Sequence, residues 1–139
     1  MRLQLALNVS HIDEAIDFYS KLFNTSPHKI RPGYANYSLN NPPLKLVLFE
    51  NPDAKERINH LGVEVFCPGE ITETAQRLRE SGILERVQFN ETCCHATQDK
   101  VWSREPQGLH WEWYRITDDN PDNMAASQLS ACCNGTNCS

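Results

Sequence analysis

The chain has 139 residues, of which 40% are hydrophobic and 22% are charged, an ordinary composition for a soluble globular protein. This length allows one domain with a real core but not two independent domains. The formal net charge is -5 and the basic residues are scattered, which argues against nucleic acid or an anionic membrane surface as the partner.

The N-terminal region predicts neither a secretory leader nor a membrane span. Polar residues interrupt its apolar run early, and no stretch approaches the roughly 18 apolar residues that cross a bilayer. We therefore expect a cytoplasmic protein, in which cysteine thiols stay reduced.

The six cysteines then need an explanation other than a disulfide framework. Four of them form the adjacent pairs Cys93-Cys94 and Cys132-Cys133, and Cys138 follows the second pair. A disulfide between sequence neighbours closes a very small ring and is strained. Two adjacent free thiols instead suit the binding of one soft ion or metalloid between two sulfurs.

The first half of the chain predicts one strand, one helix and three further strands. Residues 3–9 alternate well enough to form a strand with one apolar face. The helix that follows has an apolar stripe; Ser10 or Asp13 would cap its start, and Asn24 and Pro27 would end it. Short strands are predicted near residues 29–31, 35–39 and 44–49.

The second half repeats this order. A strand over 59–65 and a helix over 70–81 precede strands near 85–89, 98–102 and 110–116. A shift of 56 residues places the strand containing Gln4 on the strand containing His60, and the apolar helix faces coincide. We predict an α+β fold in which two βαβββ modules, about 1–55 and 56–117, pair into an open curved sheet with a cleft at their junction. Residues 118–139 are predicted to form a flexible, cysteine-bearing C-terminal tail.

Gln4 and His60 occupy the same place in the two modules, each on a first strand with apolar neighbours on the other face. A single strand histidine is more often a core or surface residue, but a repeat-mate that is also a potential ligand favours a shared site. In the last strand, alternation places Trp111 and Trp113 in the core and Glu112 on the opposite face. Glu112 could simply face solvent; opposite Gln4 and His60, it completes a candidate triad for a divalent metal.

Cys93 and Cys94 can hold one atom together only if the backbone departs from a regular strand. Successive side chains of a strand point to opposite faces, so we predict a loop or a bulge within residues 90–95. Lys100 or His95 would help such a loop to close over a substrate. The alternative is that both cysteines are small buried hydrophobic residues, which their polar neighbours disfavour.

These features resemble the vicinal oxygen chelate superfamily, which contains glyoxalases, extradiol dioxygenases and bleomycin- or fosfomycin-resistance proteins. The resemblance covers roughly residues 2–116 and is carried by Gln4 with Leu7 and Val9, Ala15-Ile-Asp-Phe-Tyr19, Asn59-His-Leu-Gly-Val63, and Glu105-Pro-Gln-Gly108 followed by Trp111-Glu112. Glyoxalases of this superfamily have a fourth ligand, a glutamate on the last strand of the first module, whereas residues 44–49 here contain no carboxylate or histidine. The three remaining candidates resemble the facial triad of the dioxygenase branch, with Gln4 where extradiol enzymes carry histidine.

A narrower resemblance is to the arsenic-inducible carbon–arsenic lyases, which are often described as cadmium-induced or glyoxalase-like. It is carried by Pro32-Gly-Tyr-Ala-Asn36, Pro42-Pro-Leu-Lys-Leu-Val-Leu48, Asn59-His-Leu-Gly-Val-Glu-Val65, Thr92-Cys-Cys94 and Gln98-Asp-Lys-Val-Trp102. The resemblance implies an Fe(II)- and O2-dependent enzyme that cleaves the carbon–arsenic bond of trivalent organoarsenicals, such as methylarsenite or trivalent aromatic arsenicals, to arsenite. Arsenic with one organic group has two exchangeable positions, which match the thiols of Cys93 and Cys94. Cys132, Cys133 and Cys138 would scavenge the arsenical, or they belong to an inert tail.

Two other interpretations stay open. One is a glyoxalase-like or thiol-transferase relative in which the cysteines are incidental. The other is a protein that sequesters Cd(II) or As(III) without turnover, with Cys93, Cys94, His95 and the tail as soft ligands. Members of the superfamily pair their modules within one chain or across a homodimer, and the sequence does not decide between the two.

Overall fold

A computed structural model describes residues 1–121 of the chain. The first module contains strand β1 (Arg2–Val9), helix α1 (Ile12–Leu22) and strands β2 (Lys29–Arg31), β3 (Tyr34–Asn40) and β4 (Pro43–Glu50). The second contains β5 (Ile58–Glu64), α2 (Glu70–Glu80), β6 (Arg86–Cys93), β7 (Ala96–Arg104) and β8 (His110–Asp118). The predicted order of elements is confirmed. Neither helix is long and apolar enough to cross a membrane.

The eight strands form one sheet in the order β2-β3-β4-β1-β5-β8-β7-β6. The two modules join at its centre, where β1 pairs antiparallel with β5 of the same chain. Within each module the first strand pairs in parallel with the last, β1 with β4 and β5 with β8. The predicted α+β architecture of two βαβββ modules is confirmed, and the modules that complete the sheet belong to one chain.

Strand alternation divides the side chains between a helix-covered face and an open face of the sheet. In β1, Leu5 and Leu7 pack in the cluster that includes the apolar stripe of α1. Gln4, Ala6 and Asn8 point the other way, and all three are buried because the sheet curls around its open face. The same alternation in the other central strands collects polar groups inside the curl.

The start of α1 differs from the prediction. Neither Ser10 nor Asp13 caps it: His11 precedes the first helical residue, and no side chain of the N-cap makes a capping hydrogen bond. Instead, Ile12 N–H donates to Glu50 Oε2 at 2.9 Å. A side chain from the end of β4 thus satisfies one of the free donors at the helix start.

The tryptophans of β8 also differ from the prediction. Trp111 and Trp113 are only half-buried on the helix-covered face, where Trp113 packs beside α2. Glu112, on the opposite face, is 2% exposed. The predicted alternation is correct, but the enclosed side of this strand is the polar one, because the curl of the whole sheet covers it.

The C-terminal boundary lies beyond the predicted end of the domain at residue 117. Strand β8 runs to Asp118, and Asp119 is bonded to Lys29 and His28 of the first module. Cys132, Cys133 and Cys138 lie outside the described residues.

Candidate metal centre and thiol pair

Gln4, His60 and Glu112 meet in the cleft on three neighbouring strands. In the sheet register, Gly62 of β5 lies opposite both Gln4 of β1 and Glu112 of β8, and His60 is two residues from Gly62 on the same face. His60 Nε2 is 2.8 Å from Glu112 Oε2. Gln4 Nε2 is 3.0 Å from His60 Nε2 and 3.3 Å from Glu112 Oε2. The structure brings together the three residues that the repeat singled out.

The spacing of these donor atoms fits a divalent cation. Two ligands about 2.1 Å from a metal and at right angles to each other are about 3.0 Å apart, close to all three separations. Three mutually adjacent donors leave other coordination positions open. The Gln4 amide points its Nε2 at its neighbours. Because the oxygen and nitrogen ends of an amide have nearly the same shape, a rotation of 180° places Oε1 in the same position. Within residues 1–121 no three His, Cys, Asp or Glu side chains cluster for a metal, so a centre here depends on Gln4.

A chain of amides determines which nitrogen of His60 faces the cleft. His60 Nδ1 is 2.7 Å from Asn59 Oδ1, Asn59 Nδ2 donates to Asn8 Oδ1 at 3.1 Å, and Asn8 Nδ2 donates to the Glu56 carbonyl at 2.9 Å. Because Asn59 Oδ1 can only accept, Nδ1 carries the proton of the neutral ring and Nε2 keeps its lone pair. That lone pair faces an oxygen of the Glu112 carboxylate. Two electron-rich atoms this close repel each other unless a proton or a metal ion lies between them. Neither Asn8 nor Asn59 was predicted as a site residue.

Glu112 is ionised at neutral pH despite its burial. Burial raises the pKa of Glu112, but the Lys100 ammonium, with Nζ 3.5 Å from Glu112 Oε1, holds it below its usual range. The sequence linked Lys100 to closure of the thiol loop. In the structure its ammonium lies beside the candidate carboxylate ligand, where it offsets the negative charge.

Gly62 leaves the space that the two flanking ligands occupy. A Cβ at this position would lie 2.8 Å from the Glu112 carbonyl oxygen and 3.2 Å from Gln4 Nε2. Because the nearer atom belongs to the backbone, the strands would have to shift. We expect Gly62→Ala to lower the free energy of unfolding by about 1–3 kcal/mol, measured by urea denaturation. Wild-type stability in this variant would contradict the close approach.

Cys93 and Cys94 lie at the tip of the β6–β7 hairpin. Cys93 pairs with Ala96, and the two residues between them, Cys94 and His95, have φ values of 53° and 68°. Positive φ at both central residues is the backbone of a type I′ turn, and for side chains such as these it costs on the order of 1–3 kcal/mol per residue. The predicted departure from a regular strand is confirmed. The turn brings the two Sγ atoms to 3.2 Å.

The thiol pair is reduced and accessible from the cleft on one side. Bonded sulfurs lie about 2.05 Å apart, so the observed separation excludes a disulfide within the pair. One atom that binds sulfur at about 2.3 Å can contact both. Cys93 is buried among Ala6, Tyr34, Val47 and Phe49, as a small hydrophobic residue would be, but Cys94 lines the cleft.

Lys29 ties the thiol turn to the far edge of the sheet. Strands β2 and β6 are the two edges, yet Lys29 Nζ of β2 donates to the His95 carbonyl at 2.8 Å. The same ammonium bonds the Asp119 carbonyl and, at 3.0 Å, its carboxylate, whose other oxygen lies 2.7 Å from His28 Nε2. These contacts close the curl with the thiols inside. Nothing in the sequence distinguished Lys29 from an ordinary strand lysine.

One pocket joins the candidate metal ligands and the thiol turn. It holds about 410 Å³ of space, its open mouth included. Its lining includes the three candidate ligands, Lys100 and Cys94. Strand β4 contributes Lys45, Val47 and Phe49, so the first module supplies no fourth carboxylate or histidine ligand from this strand.

The comparison with known proteins agrees with this architecture. Residues 3–113 match the Glyoxalase/Bleomycin resistance protein/Dioxygenase superfamily. The trivalent organoarsenical cleaving enzyme of Thermomonospora curvata is 50% identical, over 95% of this chain and 87% of that protein. The cadmium-induced protein CadI of Mycobacterium tuberculosis is 44% identical, over 96% of this chain and 93% of that protein.

Solved structures show the same fold at low sequence identity. A glyoxalase/bleomycin resistance protein/dioxygenase superfamily member from Vibrio splendidus superposes with a TM-score of 0.54 at 16% identity, over 83% of this chain and 97% of that chain. At that identity the likeness concerns the fold alone. With its two paired modules and the match over residues 3–113, the chain belongs to the Glyoxalase/Bleomycin resistance protein/Dioxygenase superfamily.

Proposed function

We propose that this protein is an Fe(II)- and O2-dependent enzyme of the cytoplasm that cleaves the carbon–arsenic bond of trivalent organoarsenicals, releasing arsenite. The observation that carries the proposal is a single pocket lined by a three-donor metal set and by one of two thiols 3.2 Å apart. The substrates would be methylarsenite and trivalent aromatic arsenicals. The 50% identity to a protein named as a trivalent organoarsenical cleaving enzyme supports this substrate class.

Cys93 and Cys94 would select and hold the arsenic. In R–As(OH)2 each thiol replaces one hydroxyl: an S–As bond forms, an As–OH bond breaks, and the thiol proton leaves with the hydroxide as water. The oxidation state of arsenic does not change in this step. The second substitution is intramolecular, so the pair binds far more tightly than one thiol. The remaining As–C bond is then confined to the pocket.

Gln4, His60 and Glu112 would hold the iron, which when bound supplies open positions for activating O2 and the substrate. The chain's own residues prepare this set. Asn59 holds the His60 proton on Nδ1 so that Nε2 is free to bind, and Lys100 keeps Glu112 ionised. The buried aromatic side chains Tyr34 and Phe49 beside the thiols limit the access of water.

The test is the release of arsenite from methylarsenite by purified protein, measured by arsenic-specific chromatography. We expect arsenite when Fe(II) and air are both present, and none when either is withheld. Binding without release under iron-loaded, aerobic conditions would favour sequestration of As(III) or Cd(II). Turnover of the methylglyoxal–glutathione adduct with Ni(II) or Zn(II), and no arsenite release, would favour a glyoxalase-like enzyme.

We expect Asn59→Ala to weaken Fe(II) binding about 10–100-fold, because the acceptor that orients His60 is lost. Anaerobic titration of the protein with Fe(II) measures the effect without turnover. Asn59→Asp, which keeps an acceptor, should retain more affinity. Asn40→Ala, at an exposed position of β3, is the matched control. Equal affinity in Asn59→Ala and the control would contradict the role of the amide chain.

We expect Lys29→Met to weaken methylarsenite binding about tenfold, because the thiol turn loses its tie to β2. Titration of metal-free protein measures this binding. Lys29→Arg should restore part of the affinity, since it keeps a cationic donor. Lys21→Met removes an exposed lysine of α1 and should change nothing. If Lys29→Met binds as the wild type does, the turn does not need this anchor.

A further inference from the structure

A second polar cluster lines the pocket and takes no part in the donor set or the thiol turn. It consists of Asn36 on β3, Lys45 on β4 and Tyr114 on β8, and it is called the polar wall below. All three side chains are less than a tenth exposed. Lys45 is the register neighbour of Gln4, and Tyr114 lies two residues after Glu112, so the polar wall borders the candidate metal ligands.

The polar wall has unused hydrogen-bonding capacity. Within residues 1–121, the buried atoms Asn36 Oδ1 and Tyr114 OH have no hydrogen-bond partner. The Lys45 ammonium carries three donors but, in the same part of the chain, makes one hydrogen bond, at 3.3 Å to Ser38 Oγ. Buried polar groups in folded proteins are almost always paired. Their shared position on one pocket indicates an occupant that pairs with them.

The free atoms define the chemistry of that occupant. Lys45 Nζ donates, and Asn36 Oδ1 accepts, since Asn36 Nδ2 already donates to Tyr34 OH at 2.9 Å. The Tyr114 phenol has one O–H donor and an oxygen that accepts, so it can donate or accept. A hydroxyl group, which donates once and accepts twice, matches this combination. A methyl group or a bare ring edge does not.

The surface beside the polar wall suits an aromatic ring. Tyr34 and Phe49 line the same pocket, with ring centroids 5.5 Å apart, and Val47 lies on β4 between Phe49 and Lys45 of the polar wall. Aromatic faces and edges of this kind pack well against another ring. Both rings also contact the cluster that contains Cys93. An arsenic atom on the thiols would therefore place its organic group near these rings.

We propose that the polar wall is a subsite for the ring hydroxyl of a trivalent hydroxyphenyl arsenical. The ring packs against Tyr34 and Phe49, and Cys93 and Cys94 hold the arsenic. This subsite rests on the function proposed above and narrows its substrate class to hydroxylated aromatic arsenicals in preference to unsubstituted ones. An ordered water is the competing occupant, because it too can satisfy a buried polar cluster.

The experiment compares equilibrium binding of phenylarsenite with that of 3- and 4-hydroxyphenylarsenite. Metal-free protein under anaerobic conditions excludes turnover. We expect the wild type to bind one hydroxylated isomer about tenfold more tightly than phenylarsenite. Lys45→Met and Tyr114→Phe should each bring this ratio towards one. Lys21→Met and Tyr19→Phe, both on α1 outside the pocket, are the matched controls and should keep the wild-type ratio.

Three results would overturn the subsite. The first is equal affinity of the wild type for all three arsenites, which leaves the proposed function intact and assigns the polar wall to water. The second is an affinity ratio equal to that of the wild type in both Lys45→Met and Tyr114→Phe. Two separate variants are used so that the result does not depend on a single variant that fails to fold. The third is no binding of any arsenite by the wild type, which overturns the proposed function as well.

Discussion

Glu112→Gln is expected to abolish stoichiometric iron binding and to lower arsenite release by more than about 100-fold, beyond the loss typical of a residue that only supports a ligand. The substitution keeps the size and shape of the side chain but removes its negative charge. His60 Nε2 and the Gln4 amide would then face a neutral group, and the Lys100 ammonium would lose the carboxylate 3.5 Å away. A cation in this set would meet an uncompensated buried positive charge.

Glu64→Gln provides the matched control. Glu64 is also buried, lies on the same strand as His60, and pairs with Arg2 at 2.6 Å rather than with the donor set. Its replacement should affect stability but leave the iron content unchanged. Iron content and arsenite release should be measured on the same preparations. A Glu112→Gln protein with full activity would eliminate the triad, whatever its stability.

The convergence of Gln4, His60 and Glu112 could be predicted because the repeat exposes it. Gln4 and His60 stand out only when the modules are superposed, and strand alternation then separates Glu112 from its flanking tryptophans. The same alternation misled about burial: Trp111 and Trp113 were assigned to the core, yet the enclosed face is the one carrying Glu112. Alternation assigns the side chains of a strand to two faces, but it does not determine which face the curl of an eight-stranded sheet encloses.

Other parts of the site depend on contacts between residues far apart in the sequence. The type I′ turn at Cys94 and His95 lacks the asparagine and glycine that usually announce it, so only the need for two convergent thiols predicted a departure from the strand. The Lys29 contact with His95 joins opposite edges of the sheet. Likewise, Asn8 and Asn59 act through a hydrogen-bond chain that no local pattern encodes.

Replacing either thiol of the pair is expected to weaken methylarsenite binding about 10²–10⁴-fold, the gain that a second, intramolecular bond typically adds. Cys94→Ser is the more informative change, because Cys94 is half-buried and lines the pocket while Cys93 belongs to the core cluster. Binding should be measured in a background in which Cys132, Cys133 and Cys138 are all serine, so that these three thiols do not contribute. Cys67→Ser, which alters an exposed thiol, is the control.

Iron content separates the possible roles of Cys94. The atoms of the donor set that lie within 3.3 Å of one another are nitrogens and oxygens, with no sulfur among them. We therefore expect Cys94→Ser to bind Fe(II) as the wild type does while losing the arsenical. Joint loss of iron and arsenical would mean that a thiolate is itself a metal ligand. If Cys94→Ser still binds the arsenical tightly in the background that lacks the three C-terminal thiols, the Cys93-Cys94 pair is incidental. Only a Cys94→Ser protein that loses the arsenical but keeps the iron supports the proposal that one group of residues holds the metal and another holds the substrate.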